Sequence, residues 1–249
     1  MFKFDVPTHS YRGPMSNDDT ELPVFATTAP GVFSDPDATC TLFDDVLGRL
    51  ADVVDLDTDQ LALPTPCANY DAGQLRAHAL GWLGFFTDAL GDPAAGSPRR
   101  DPESFELPSG ESSGDYVRRC LSGIQQAIAD NAAGQMVSMT SSRMAGDGVL
   151  AMALGEYIVH GWDLARATGR PYDAPDTAIA PAHEFLLGMV APEYRGPDTG
   201  FFDAEVEVRA DADALDRLLG FAGRDPAWSP SGRSSATATG PGVPCLHPR

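Results

Sequence analysis

One apolar segment, Val149 to Trp162 (VLAMALGEYIVHGW), constrains the fold of this chain more than any other stretch. Apart from the phenol of Tyr157, its only titratable side chains are Glu156 and His160. A helix that is apolar almost all round lies inside a protein, and residues four apart share one face of it. The segment therefore predicts a buried helix that carries a carboxylate and an imidazole side by side. Because an ionised carboxylate is costly to bury alone, a bound cation is one way to stabilise the pair.

Other segments predict the helices that surround this one. Apolar residues recur at three- and four-residue spacings, and Asp71 with Gln74 has the spacing of a capping box at a helix start. We predict an all-α fold, a four-helix bundle with short additional helices and irregular termini. The predicted helices are Cys40 to Leu56, Asp71 to Leu90, Asp115 to Ala132, Val149 to Thr168, Asp176 to Met189 and Asp213 to Phe221.

The remaining segments predict the domain organisation. Residues 1–35 lack sustained periodicity and are predicted to form an irregular N-terminal extension, followed by the helical bundle at 36–228 and a disordered tail at 229–249. The Pro-, Gly- and Ser-rich residues 92–113 are either a functional lid or a plain exposed linker. Residues 134–148 are polar and are predicted to form turns.

The charge balance and the missing motifs exclude several classes of function. With 36 acidic residues against 17 basic ones and a net charge of −19, the surface would repel nucleic acid and anionic membranes. No run approaches the ~20 apolar residues of a membrane span, and no signal peptide is evident, so a cytoplasmic protein is predicted. The four cysteines form no CxxC pair, and no nucleotide-binding loop, HExxH or GxSxG motif is present.

A candidate metal site combines His78, on the second predicted helix, with Glu156 and His160 on the fourth. Two imidazoles and one carboxylate suit Zn²⁺ or another borderline divalent ion, and three protein ligands leave coordination positions open for a water or a thiol. The simpler interpretations are a hydrogen-bonded structural His78 and an ordinary surface pair of Glu156 and His160. Asp163 lies on the same helix face, three residues after His160. It is a carboxylate that supports the ligands from behind, a catalytic group, or a solvated residue near the helix end.

Other chemistry-bearing side chains point to no further site. His183 is interpreted as structural. Cys67 is a candidate nucleophile, but the sequence identifies no histidine that would activate it.

Three sequence motifs together resemble the actinobacterial branch of the DinB-like superfamily, the group that includes mycothiol-dependent maleylpyruvate isomerase. The motifs are LPTPCANYD at 63–71 running into LRAH at 75–78, EYIVHGWDLARATG at 156–169, and LDRLL with GRDPAW near the end of the bundle. The resemblance extends over roughly Thr39 to Trp228. Tyr70 stands where a tryptophan is common.

The resemblance implies a DinB-like four-helix bundle that holds a divalent metal through His78, Glu156 and His160. Zinc is the first expectation, with nickel or iron as alternatives. It also implies an active-site role for Asp163 and the low-molecular-weight thiol mycothiol as co-substrate. The chain after the bundle is too short for the separate C-terminal domain of the isomerase, so a substrate other than maleylpyruvate is expected. Arg224 is the candidate for that domain's substrate-binding arginine.

These observations favour a metal- and thiol-dependent S-transferase or isomerase that acts on a small electrophile. Two alternatives stay open at this point: a thiol-independent metal-dependent hydrolase or cyclase, and a non-catalytic, metal-stabilised binding protein. A monomer or a homodimer is expected.

Overall fold

Six α-helices form the framework of the protein in the computed structural model, which describes residues 24–25, 31–95, 98, 101–140, 142–196 and 202–230. The helices are α1 (Pro36–Val54), α2 (Ala72–Gly91), α3 (Ser113–Ala129), α4 (Gly146–Thr168), α5 (Asp176–Met189) and α6 (Ala214–Phe221). Helices α1 to α4 pack against one another as a bundle, whereas α5 lies on α4 and contacts α6. The predicted all-α, DinB-like bundle with short additional helices is confirmed.

Helix α4 is the buried centre of the molecule. Every residue from Gly146 to Ala165 is buried, and the helix contacts α1, α2 and α5. It ends at Gly169, whose φ of 69° lies in the left-handed region that glycine adopts without strain. Although α2 and α4 have 20 and 23 residues, no helix in the described ranges combines the length and the apolarity that a bilayer span requires.

The start of α2 is set by the capping box that the sequence predicts. The Asp71 carboxylate accepts a hydrogen bond from the Gln74 amide at 2.8 Å, and the Gln74 side chain accepts one from the Asp71 amide at 3.0 Å. An N-cap of this kind contributes about 1 kcal/mol to helix stability. His78 follows the cap by about two helical turns and faces Glu156 of α4.

The region at 134–148 departs from the prediction of a polar turn. Met136–Ser138 and Arg143–Ala145 form antiparallel strands, β2 and β3, and a third strand at Val24–Phe25, β1, pairs with β3 in parallel. The sheet buries Val137 opposite Met144 against the bundle. Strands of three residues are too short to show an alternating pattern, which is why the sequence did not predict them.

The long connection between α2 and α3 is partly ordered against the bundle. Residues 101–105, called the strap below, contain a short 3-10 helix at Pro102–Ser104 that packs on α2. At Gly81 a Cβ atom would lie 2.0 Å from the Pro102 carbonyl oxygen, so only glycine permits this approach. The predicted N-terminal extension and C-terminal tail fall mostly outside the described residues, and the proposed domain limits therefore stay predictions.

Candidate metal centre

Three buried side chains from two helices converge between α2 and α4. Nε2 of His78 lies 3.2 Å from Oε1 of Glu156, and Nε2 of His160 lies 3.3 Å from the same oxygen. The side chains are only 1–2% exposed. Within the part of the chain that the structure describes, no other place brings three His, Cys, Asp or Glu ligand atoms this close together. The structure thus brings together the three residues that the sequence predicts as ligands.

The close approach of these atoms is not explained by hydrogen bonds among them. Although a nitrogen and an oxygen lie 3.2 Å apart, Nε2 of His78 and Oε1 of Glu156 have no hydrogen-bond partner among the described residues. Buried polar atoms are almost always satisfied, and leaving one unsatisfied costs about 1–3 kcal/mol. Ligand atoms around a tetrahedral Zn²⁺ lie about 3.3 Å from one another. The residues present therefore fit a divalent cation of this kind.

A carboxylate supports the outer nitrogen of His78. Oε1 of Glu103, in the strap, lies 3.1 Å from Nδ1 of His78 and accepts a hydrogen bond of 3.2 Å from the Trp82 indole. The Tyr70 ring stacks on the same imidazole at 5.0 Å, with its hydroxyl 3.4 Å from Nδ1. His78 is therefore held by Glu103 and Tyr70, and its other nitrogen faces Glu156.

A second carboxylate supports His160 in the same way. Oδ2 of Asp163 lies 3.0 Å from Nδ1 of His160, and Nε of Arg224 donates to both Asp163 oxygens at 3.2 and 3.3 Å. Arg224 also donates to the Ala222 carbonyl at 3.1 Å. Each imidazole thus presents Nδ1 to a carboxylate, which favours the tautomer whose Nε2 lone pair points at Glu156 and is the arrangement usual for metal-ligating histidines.

The charges of the cluster also suit a divalent cation. Glu103, Glu156 and Asp163 carry three negative charges and Arg224 one positive charge, which leaves a net charge of −2 when both imidazoles are neutral. Burial opposes ionisation of Glu156, but the neighbouring histidines outweigh it and hold its pKa well below the usual range. Burial also lowers the pKa of His78, yet the neighbouring carboxylates of Glu103 and Glu156 outweigh it and raise the pKa to about 9 in the absence of a metal.

The other candidate residues occupy positions around this centre. Asp163 and Arg224 are buried behind His160. The Asp163 carboxylate therefore lies where a group that supports His160 was one of the expectations. A catalytic role for Asp163 and a substrate-binding role for Arg224 stay predictions. His183 lies on α5 against Phe221 at 5.6 Å, outside the cluster. Cys67 is 1% exposed, and burial raises the pKa of its thiol.

Glu103 is the functional candidate that the sequence analysis missed. Asp101 and Pro102 are a recognisable start for a short helix, because the Asp101 carboxylate accepts from the Glu103 amide at 3.0 Å. Nothing in the sequence spacing, however, indicates that this turn docks beside His78. The contact depends on the packing of the strap at Gly81.

Comparison with known proteins gives one family and two relatives. Residues 43–165 match the family model described as the mycothiol maleylpyruvate isomerase N-terminal domain. Two proteins that are themselves uncharacterised, from two strains of Mycobacterium tuberculosis, are each 24% identical over 168 residues, which covers 67% of this chain and 86% of each relative. No solved structure matches the chain significantly.

Proposed function

Residues 43–165 match the model of the mycothiol maleylpyruvate isomerase N-terminal domain family, and from this similarity we propose a metal- and thiol-dependent enzyme. The metal is a divalent cation, zinc in the first instance, held by His78, Glu156 and His160. The thiol is mycothiol or a similar low-molecular-weight thiol. The second substrate is a small electrophile, and the reaction is an S-transfer or an isomerisation.

The observation that carries the proposal is the geometry of Glu156. Two imidazole nitrogens approach one of its oxygens at 3.2 and 3.3 Å, and the described residues offer that oxygen no hydrogen bond. A cation between these atoms would satisfy the carboxylate and neutralise the cluster. When bound, a divalent cation lowers the pKa of a thiol or water that occupies an open coordination position.

The residues around the centre would orient the metal ligands. When the imidazoles are neutral, Glu103 and Asp163 accept from Nδ1 and leave Nε2 available to a cation, and Arg224 fixes Asp163. The rings of Tyr70 and Trp82 pack against the buried His78 imidazole, Tyr70 stacked at 5.0 Å and Trp82 edge-on at 6.4 Å. Interactions in such a shielded site are stronger than in water.

Cys67 is not suited to supply the nucleophilic sulfur itself. Burial raises the pKa of Cys67, so its thiol stays protonated at neutral pH and is a poor nucleophile. In the proposed reaction the thiol loses its proton, and its sulfur adds to the carbon of a double bond conjugated to a carbonyl group, which breaks the carbon–carbon π bond and gives an enolate. A transferase protonates the enolate and keeps the conjugate. An isomerase instead expels the thiolate after rotation about the new single bond, so that the double bond forms again and the thiolate takes up a proton.

The decisive experiment is a calorimetric titration of the zinc-loaded protein with mycothiol. We expect saturable binding below millimolar thiol, and no binding after the metal is removed with a chelator. His160→Ala should lose both metal and thiol. His183→Ala removes a helix histidine outside the cluster and should keep both.

Two results would contradict different parts of the proposal. If the zinc-loaded protein does not bind mycothiol at millimolar concentration, the thiol-dependent reaction is excluded and water is favoured as the nucleophile. A His160→Ala protein that binds zinc with full stoichiometry would exclude the proposed ligand set itself.

A further inference from the structure

The strap places a partly exposed carboxylate against a buried imidazole. The Glu103 side chain is 36% exposed, whereas that of His78 is 1% exposed. Oε1 of Glu103 lies 3.1 Å from Nδ1 of His78 and accepts from the Trp82 indole at 3.2 Å. One oxygen therefore contacts two side chains on consecutive turns of α2.

The backbone of the strap is held independently of this contact. Pro102 is buried, and its carbonyl packs on Gly81 so closely that no Cβ fits there. Further along, the ring of Phe105 packs edge-on against Tyr116 of α3 at 5.0 Å. The packing of the strap on α2 and α3 therefore places Glu103 next to His78.

An ordinary surface ion pair would not have this geometry. Exposed pairs join two solvated groups and contribute about 0–1 kcal/mol. Here the partner is buried, and its other nitrogen faces Glu156. The same arrangement occurs at His160, where Asp163 occupies the position that Glu103 occupies at His78.

We propose that Glu103 is a positioning residue of the metal centre, which fixes the tautomer and the ring orientation of His78 so that its Nε2 faces the cation. The inference rests on the metal site of the proposed function and adds a residue from outside the four-helix bundle. It makes metal affinity depend on the docking of the strap. Carboxylates behind a metal-bound histidine typically contribute 10–100-fold to affinity.

Competition between the full-length protein and a chelator for Zn²⁺ tests this inference. Glu103→Ala removes both hydrogen bonds and should weaken zinc binding about 10–100-fold. Glu103→Gln keeps an amide oxygen that can accept from His78 and Trp82, so its loss should be smaller. Glu106→Ala removes the same charge from the exposed residue three positions later and should leave the affinity unchanged.

The visible spectrum of the Co²⁺-substituted protein supplies a readout of ligand geometry. We expect Glu103→Ala to shift or broaden the Co²⁺ bands, and Glu103→Gln to restore most of the native spectrum. Native zinc affinity and a native Co²⁺ spectrum in folded Glu103→Ala would overturn the inference and leave the metal site intact. Failure of the unmodified protein to bind zinc would instead contradict the proposed function.

Discussion

The imidazole of His160 and the carboxylate of Asp163 lie one turn apart on α4, with Nδ1 3.0 Å from Oδ2 and at most 1% of either side chain exposed. A hydrogen bond in so shielded a place is stronger than one in water. Arg224 donates to the same carboxylate from 61 residues further along the chain. Asp163 therefore links a candidate metal ligand to the C-terminal segment, and its removal should affect both.

Asp163→Ala is expected to destabilise the metal-free protein by up to about 3–5 kcal/mol, because it leaves the buried Arg224 guanidinium with only the more distant and partly exposed Asp203 carboxylate, at 3.8 Å. Chemical denaturation measures the loss. The double variant Asp163→Asn, Arg224→Met contains neither charge and should recover most of the stability. If the losses of stability in Asp163→Asn and Arg224→Met, measured singly, add up to the loss in the double variant, the two residues are not coupled.

Stability and zinc affinity should change with pH in opposite directions. Burial lowers the pKa of His78, but Glu103 and Glu156 outweigh it and raise the pKa to about 9, above the unfolded value of about 6.5. Protonated His78 thus stabilises the metal-free fold below pH ~6.5, and this contribution is lost as the pH rises through about 9. A cation requires neutral imidazole, so its binding strengthens over the same interval.

Scanning calorimetry with and without zinc at pH 6, 7.5 and 9 measures both trends. We expect the Tm of the metal-free protein to fall and the increment produced by zinc to grow. His78→Gln should remove both trends. Parallel changes in the two forms would contradict the assignment of the effect to His78.

Gly81→Ala should lower stability and zinc affinity together. The new methyl group would collide with the Pro102 carbonyl and displace the strap that carries Glu103. Gly48 in α1 is a matched control, because a Cβ there meets nothing within 4 Å. Gly48→Ala should stabilise the protein by up to about 1 kcal/mol through helix propensity, with unchanged zinc affinity.

Tyr157→Phe is expected to leave the stability unchanged or to raise it by about 1 kcal/mol. The hydroxyl of Tyr157 is buried and has no hydrogen-bond partner among the described residues. An unsatisfied buried polar group costs free energy that phenylalanine avoids. A loss above 1 kcal/mol in thermal or chemical unfolding would reveal a partner for the hydroxyl.

Much of the fold could be predicted because apolar residues recur at helical spacing over several turns of each long helix. Helix α5 has the predicted limits, Asp176 to Met189, and the capping box of Asp71 is present. The apolar surroundings of Glu156 and His160 correctly indicated burial. These features are local, so residues within a few positions of one another are enough to determine them.

Features that depend on distant contacts could not be predicted in this way. Strands β2 and β3 have three residues each and are stabilised by pairing and burial, not by a pattern of their own. Glu103 reaches His78 only because Gly81 lets the strap approach α2. The pairing of Asp163 with Arg224 likewise depends on the return of the C-terminal segment to α4.

The contact between Arg224 and Asp163 also shows that the residues of the family match do not include every residue that stabilises the candidate metal centre. The family match ends at residue 165, whereas the guanidinium that neutralises Asp163 comes from beyond α6. A fragment that ends at residue 165 would lack this cation and would expose the face of α4 that α5 covers. The neutralisation of Asp163 in this chain therefore depends on a segment that lies outside the matched residues.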